Sequence, residues 1–572
     1  MRTFTSWRHC GLGLSLIVLL LGALACGAPA ARDRGGPAAE GGAPKHGGTV
    51  TLALRRDPPS AYDRMKTNIW FEIQPVTDAL YGNGNIIRLC RDDFYKICPA
   101  LAESWQANSN SSQWTFKFRD GVKWHDGAPF SAEDVKFWLD MVVGKAQGGG
   151  KTRREAAYAD DYAGIETVEV LDGNRLRVTL GEARSLFLQL ISRSIPAAVV
   201  AHPRHLAAPR IANGEVDVSP QDLGFVGTGP FTMVKQEKGV GAEVKRWDGY
   251  WEKDANGKQL PYLDSVRYAV IPDPAAMDAA FRTGRLDGGS YGAGHTLSKE
   301  RKEAYQREMG DKAYFVPVYS TDTVLAFNAL IPGPQQDVRV RQAISLTLDR
   351  QQAAKALGGG EGAPVITMSP ENPFSNPDAT TTWPGWNPAT KDADRAKAKQ
   401  LMRDAGYPNG FSVRTFCYNV STYTEVCEYL KAQLLTLGID YDMEIGDQAK
   451  YTQSRQTLEW AMVTMPGVAE VIDPELAEPS VGRFSDFNSA AGKHEDPKVP
   501  EFFKRMRASR DLSEKTKIWR EFERYYLLEQ VYHTPIYIGY ASTPYRSYVK
   551  GILRPTTGTD RQVDLAVVWL DK

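Results

Sequence analysis

His125 and Asp126, with Glu133 and Asp134 close behind, bring together the side-chain types that general acid–base chemistry uses. His202 and His205 have the spacing of two metal ligands on one helical face, although Pro203 stands between them. Gly227-Thr228-Gly229-Pro230-Phe231 suggests a phosphate loop, yet it lacks the Gly-Lys-Ser/Thr ending and the helix that would follow. Cys90 with Cys98 and Cys417 with Cys427 are close pairs that could ligate zinc or form disulfides; the spacings are long for zinc and no histidine pair flanks them. There is no His-Glu-x-x-His and no P-loop. The residues point to no enzyme and to no cofactor.

The elements that carry these residues account for most of them without chemistry. Trp114, Phe116 and Phe118 alternate with Thr115, Lys117 and Arg119, the period of a half-buried strand, and Asp120-Gly121 supplies a turn. Asp126-Gly127 supplies a second turn, and Ser131 with Asp134 caps a helix whose first turn carries Glu133 and Asp134. His125 is therefore expected as a packed or hydrogen-bonded residue of a strand, turn, strand, turn, helix framework. Gly227 and Gly229 are expected where backbone turns or passes close to a neighbour, ahead of a strand from Phe231 to Lys235. The pattern also predicts strands at 49–54, 411–417 and 534–540, a hairpin of 164–170 with 175–180, and helices at 70–81, 183–209, 391–405, 422–437 and 515–529. From Asp337 a further helix is expected to turn Val338, Ala343 and Ile344 inward and Arg339 and Gln342 outward; Arg341 suits either a structural ion pair or a ligand carboxylate.

At 572 residues, with 42% hydrophobic and 24% charged residues, the chain is expected to hold two or three globular domains. Formal net charge is zero, and without Arg2 and Arg8 of residues 1–25 there remain 67 basic and 69 acidic residues, which gives no support for nucleic-acid binding. Residues 1–25 read as an export signal: Arg2 and Arg8, an apolar run from Leu12 to Leu21, then small residues before Cys26. Ala23-Leu24-Ala25-Cys26 resembles a bacterial lipobox with its Leu one place late, so lipid attachment at Cys26 is expected. The Gly, Ala and Pro of 26–46 then form a tether of ~21 residues spanning about 25 Å. No other stretch is long and apolar enough to cross a membrane, which places the body outside the cytoplasm and touching the membrane through its lipid only. In an oxidising compartment the close cysteine pairs favour local bridges, each stabilising by ~2.5 to 3 kcal/mol in the chain-entropy model.

Eight motifs occur in series: LAESW (101–105), WTFKFRDGVKWHDGAPFSAEDVKF (114–137), GTGPF (227–231), WDGYWE (247–252), PYLDSVRYAVIPD (261–273), FRTGRLDGG (281–289), FNALIPGPQQDVRVRQAISLTLDR (327–350) and DADRAKAKQLMRDAGYPNGF (392–411). In residues and order they are similar to the family 5 extracellular solute-binding proteins, the dipeptide and oligopeptide receptors of ABC importers, over nearly all of 47–550.

The resemblance implies an α/β clamshell of the type II periplasmic-binding-protein class, with mixed sheets in two lobes. Lobe one would be 47–315 with 541–572 and an inserted subdomain at about 85–215; lobe two would be 320–538, with hinge crossings near Val316–Phe327 and Thr534–Ala541. A monomer is implied that holds a small ligand between its lobes, a peptide first and otherwise a nickel complex, haem, an opine or an oligosaccharide, and hands it to permease subunits; the rival reading is a secreted lipid-anchored hydrolase. In peptide-binding relatives the segment matching Thr464–Asp473 carries a Gly-Asp whose Asp pairs with the peptide ammonium, and an Asp-Pro follows. Aligning Asp473-Pro474 with that later pair places Glu470 at or near the amine-binding carboxylate, with a solvated loop glutamate as the alternative. Trp383 and Trp386, on a Pro-rich loop at 363–389, either form an apolar wall for the ligand or pack their loop onto its own lobe.

Overall fold

The computed structural model describes residues 42–572 apart from 58–61, 67–69, 83–85, 94–95, 145–161, 163, 183, 185–186, 193–199, 216–217, 291–295, 359, 420, 448–449, 451–459, 468–472, 479–492, 510 and 554–562. The export signal, Cys26 and tether residues 27–41 lie outside the described residues, whereas the last residues of the tether rest on the body: Lys45 donates to Asp571 Oδ1 at 2.6 Å and His46 lies edge-on to the Tyr262 ring.

Among the described residues, ten strands form one continuous sheet. From edge to edge they are Asp440–Gly446, Ser412–Tyr418, Met462–Pro466, Ala313–Phe327, His533–Arg546, Gly288–Gly289, Thr49–Leu54, Ser265–Val270, Gly241–Arg246 and Phe231–Glu237. Where crossings were expected near Val316–Phe327 and Thr534–Ala541, the structure has two somewhat longer strands, Ala313–Phe327 and His533–Arg546, antiparallel from Ala313↔Arg546 to Ala326↔His533. Irregularities between Tyr319 and Thr321 and between Thr323 and Val324 interrupt the ladder. This ribbon belongs to two cores. Val316, Val318 and Tyr545 pack with Val50, Leu52 and Val266, whereas Leu325, Phe327, Ile536 and Tyr537 pack with Val340, Ile344, Val413 and Leu430.

Each half of the sheet has a parallel portion. Thr49–Leu54 is parallel to Ser265–Val270 and Gly288–Gly289, and Ser412–Tyr418 is parallel to Asp440–Gly446 and Met462–Pro466. Parallel strands buried on both faces need helical crossovers. In the second half Ser421–Leu435 is such a crossover, from Ser412–Tyr418 to Asp440–Gly446, and it shares a core with the sheet and with helices Val338–Thr347 and Lys391–Asp404. The inward face of Val338–Thr347 is led by Val340, Ala343 and Ile344; Val338 is half-buried, because the helix begins at that residue and its first position tilts to the rim.

A third core surrounds a separate antiparallel sheet ordered Ala102–Ala107, Gln113–Phe118, Arg175–Leu180, Ile165–Leu171. Trp114, Phe116 and Phe118 are buried as their alternation requires, and the hairpin reverses at Gly173 and Asn174, both with positive φ. Asn174 also accepts from Ala132 N at 2.8 Å, so the turn helps to start helix Ala132–Val142, where Asp134 accepts from Ser131 N at 2.9 Å. Among the described residues of 183–209 the helices are Phe187–Ser192 and Arg204–Ala212, the second entered through Pro203, which cannot continue a helix from before it.

His125 fastens this sheet to the main one. Its Nδ1 accepts from Gly227 N and its Nε2–H donates to Gly229 O, each at 3.1 Å, and His125 N donates to Gly227 O at 2.9 Å. Burial lowers its pKa to about 4, so the ring is neutral, as this hydrogen-bond pattern needs. Gly227 and Gly229 pass against the end of helix Trp70–Tyr81: a Cβ on Gly227 would lie 2.0 Å from Leu80 O, and one on Gly229 would lie 2.6 Å from Gly82 N. The close approach read from the two glycines is present. His125→Ala leaves a buried N–H and a buried C=O without their partner and is expected to cost about 2 to 3 kcal/mol. Denaturant unfolding measures it, and an unchanged midpoint would show that the ring is not a fastening.

Candidate ligand-binding cleft

The cleft follows from strand direction. Thr49–Leu54 and Gly288–Gly289 run along the ribbon toward the second half, whereas Met462–Pro466, opposite Phe327 to Thr323, and its parallel neighbour Ser412–Tyr418 run toward the first. The carboxyl ends of both sets therefore face each other over the middle of the ribbon, Val316–Asp322 paired with Ile538–Thr543. Ligands of open α/β sheets bind outside such strand ends. Ser290, just past one strand end, donates from Oγ to Ala53 O, and Gly467, past the other, lies against Asp322. A Cβ on Gly467 would be 2.5 Å from Asp322 Oδ2, so the buried Asp322 carboxylate occupies the space a side chain would need there. Tyr540 and Ala541 are half-exposed on the ribbon itself.

Glu470 lies outside the described residues. Asp473 is 6% exposed; its carboxylate accepts from Glu475 N at 3.0 Å and from Lys515 Nζ at 3.5 Å, and burial raises its pKa to about 6. Lys515 also donates to Glu475 Oε1 at 2.5 Å, so Asp473 joins a buried cluster under the Pro474–Ala477 turn. Trp386 is 1% exposed, with its Nε1–H on Val365 O at 3.1 Å and the Arg350 guanidinium 3.7 Å above its ring, whereas Trp383 is half-buried and edge-on to it at 6.0 Å. Trp386 thus packs its loop onto its own half.

Both disulfides are formed. Cys90–Cys98 closes the hairpin of Ile87–Leu89 with Ile97–Pro99, and Cys417–Cys427 ties the end of a cleft strand to helix Ser421–Leu435. The histidine pair is divided between partners: His202 Nε2 meets Val218 O at 3.2 Å and His205 Nε2 meets Asp126 Oδ2 at 2.7 Å. Among the described residues no three of His, Cys, Asp and Glu gather as metal ligands. Arg341 donates to the carbonyls of Gln530, Gln335 and Gln336 and lies over the Tyr532 ring, so carbonyl dipoles hold it where an ion pair or a ligand was expected.

Two further buried residues hold long loops of the second half in place. Buried Arg350 donates to Pro535 O at 2.7 Å, Ser345 O at 2.9 Å, Gly385 O at 2.6 Å and Thr534 Oγ1, so one guanidinium joins the tryptophan loop to the ribbon; burial lowers its pKa to about 9. A signal was present: a cation as the first residue of helix Arg350–Leu357 opposes the helix dipole and suggests another task. Glu523 sits within the apolar stripe Ile518, Trp519, Phe522 and Tyr526, fully buried, and accepts from Thr367 Oγ1 and from Asn376 Nδ2 at 3.0 Å. It thereby holds both ends of the 367–376 loop.

The sequence model of the bacterial extracellular solute-binding proteins, family 5, middle region, matches residues 96–477. This chain belongs to that family. The glutathione-binding protein GsiB of Salmonella paratyphi A is 26% identical over 354 residues, and the alignment covers 61% of each chain. The chain therefore matches less than two thirds of that relative's length. Among solved structures, DppA of Helicobacter pylori in complex with peptide STSA superposes with a TM-score of 0.72 at 21% identity, over 92% of this chain and 99% of that one. NikA of Brucella suis in complex with Fe(III)-EDTA also gives 0.72, at 19% identity over 92% and 100%. The fold is the type II periplasmic-binding-protein fold, and at family level its members are extracytoplasmic binding proteins of transporters, not enzymes.

Stability depends on pH through the buried Glu523. Burial raises its pKa to about 7 from 4.5 despite its hydrogen bonds. A raised carboxyl contributes stability that is complete below the unfolded value and is lost as pH climbs through the folded one. Relative to Glu523→Gln, the wild type is expected to lose up to about 3 kcal/mol between pH 4.5 and 7 and nothing further above. Urea titrations of both proteins across that range measure the difference; a constant difference would show Glu523 ionised throughout.

Proposed function

We propose that the protein captures a small solute, most readily a peptide or another amine-bearing compound, between the two halves of its sheet and delivers it to the permease of an ABC importer. The reading rests on one observation above the others: the parallel strand ends of both halves converge on the middle of a two-strand ribbon. Two bodies joined by a narrow ribbon can close on a ligand and exclude water from it. The name GsiB specifies glutathione, and the titles of the solved relatives specify a peptide and a metal chelate, so the framework accepts several ligand chemistries.

The division of labour we propose follows the sequence. Lobe one is 47–315 with 541–572, lobe two 320–538, and the inserted subdomain about 85–215. Cys26 carries the lipid, 26–46 the tether, and the body works as a monomer at the outer face of the membrane. Glu470, close after the strand end at Pro466, would take the ligand's ammonium, with Trp383 as an apolar wall beside it.

Native mass spectrometry of freshly purified protein is expected to reveal a retained small ligand. For an amine-bearing ligand identified in this way, Glu470→Gln should weaken binding about tenfold or more by calorimetry, the worth of a charged hydrogen bond. Equal affinity would remove Glu470 from the site, and cleavage of added peptides would favour a hydrolase.

A further inference from the structure

The two halves meet beside the ribbon as well as through it. Lys302 donates from Nζ to Glu361 Oε1 at 2.9 Å. Lys302 belongs to helix Lys299–Met309, which packs through Tyr305 and Met309 on Met277, Phe281 and Ala53 of the first half. Glu361 belongs to the turn after helix Arg350–Leu357, whose Ala353 and Ala354 are in the core of the second half. The contact therefore links two separately packed bodies.

The chain leading to each partner is pinned to the same ribbon strand. Leu297 and Ser542 exchange backbone hydrogen bonds of 2.8 and 2.9 Å, and Ala363 and Ile538 exchange bonds of 2.9 and 2.8 Å. Lys302 and Glu361 thus stand on either side of the ribbon's middle. The turn bearing Glu361 is Gly358-Gly359-Gly360-Glu361-Gly362. Gly358 is required by contact, since a Cβ there would lie 2.4 Å from Gly362 Cα, and Gly360 by its φ of +78°, with the Lys299 side chain packed against it. The Lys299 stem rests on the turn, and Glu361 is the side chain the turn offers to the other half.

We propose that Lys302 and Glu361 form a latch between the two halves, independent of ligand, that favours the lobe angle of the present structure and breaks when the halves rotate about the ribbon. The pair is 22% and 30% exposed at its side chains, so it adds little to global folding. Its effect on lobe angle is different in kind. An interaction present at one angle and absent at another enters the ratio of the two populations in full, and salt weakens it. This inference goes beyond ligand capture and needs only the two-body fold.

Electron–electron double resonance between spin labels at Gln306→Cys and Lys397→Cys, in ligand-free protein, reads the lobe separation. Lys302→Met and Glu361→Gln are each expected to change the ratio of the two separations about two- to fivefold, the worth of an exposed pair. High salt should do the same to wild type and little to either variant, and the exchange Lys302→Glu with Glu361→Lys should restore the wild-type ratio. Unchanged distance distributions in folded variants, or a shift that the exchange does not reverse, would overturn the latch. A protein that keeps this charge dependence yet retains no solute would preserve the latch and lose the capture reading.

Discussion

The pairing of Ala313–Phe327 with His533–Arg546 is the constraint on which everything else depends. Neither strand belongs to one half. Ala313–Phe327 starts in the first core and ends in the second, and antiparallel His533–Arg546 runs back from the second to the first, so two bodies with separate apolar centres are joined by this hydrogen-bonded ladder. The irregularities at Tyr319–Thr321 and Thr323–Val324 fall where the side chains change from one core to the other. Buried apolar packing resists bending at the ribbon's ends, which leaves the middle as the place where the bodies can turn. The same arrangement turns both sets of parallel strand ends toward that middle, so the hinge and the cleft floor share one stretch of backbone.

Long loops surround this ribbon, and buried polar groups hold them. Arg350 gathers carbonyls from the tryptophan loop, the preceding helix and the ribbon; Glu523 gathers Thr367 and Asn376; Lys515 sits between Asp473 and Glu475. A loop without ladder partners leaves backbone and side-chain polar atoms to be satisfied, and one long charged side chain can reach several of them. Removing one partner from such a group costs more than the group contributes in net stability, which makes each a strict positional requirement.

Much of this was legible in the sequence. Alternation at Trp114, Phe116 and Phe118, the hairpin of 164–170 with 175–180 and the glycines at 227 and 229 are local signals with local causes, and each appears as read. Cys90–Cys98 and Cys417–Cys427 followed from proximity in the chain. What the sequence does not display is partnership over distance. His125 reaches Gly227 and Gly229, Asn174 caps a helix that starts at Ala132, and Arg341 finds carbonyls where a carboxylate was expected. The length of the ribbon was hidden for a related reason: Thr534–Tyr540 has a clear strand composition, but Ala541 to Arg546 is strand through pairing with Ala313–Val318. The tryptophan pair was divided by depth, which spacing does not encode.

The central claim is that two bodies close about the ribbon on a bound solute. Small-angle X-ray scattering of the purified protein, before and after its retained ligand is removed by unfolding and refolding and then added back, tests this most directly. The account predicts a larger radius of gyration in the ligand-free protein and a return to the compact value at one equivalent of ligand. Identical scattering in both states, with binding verified in the same sample, would contradict it.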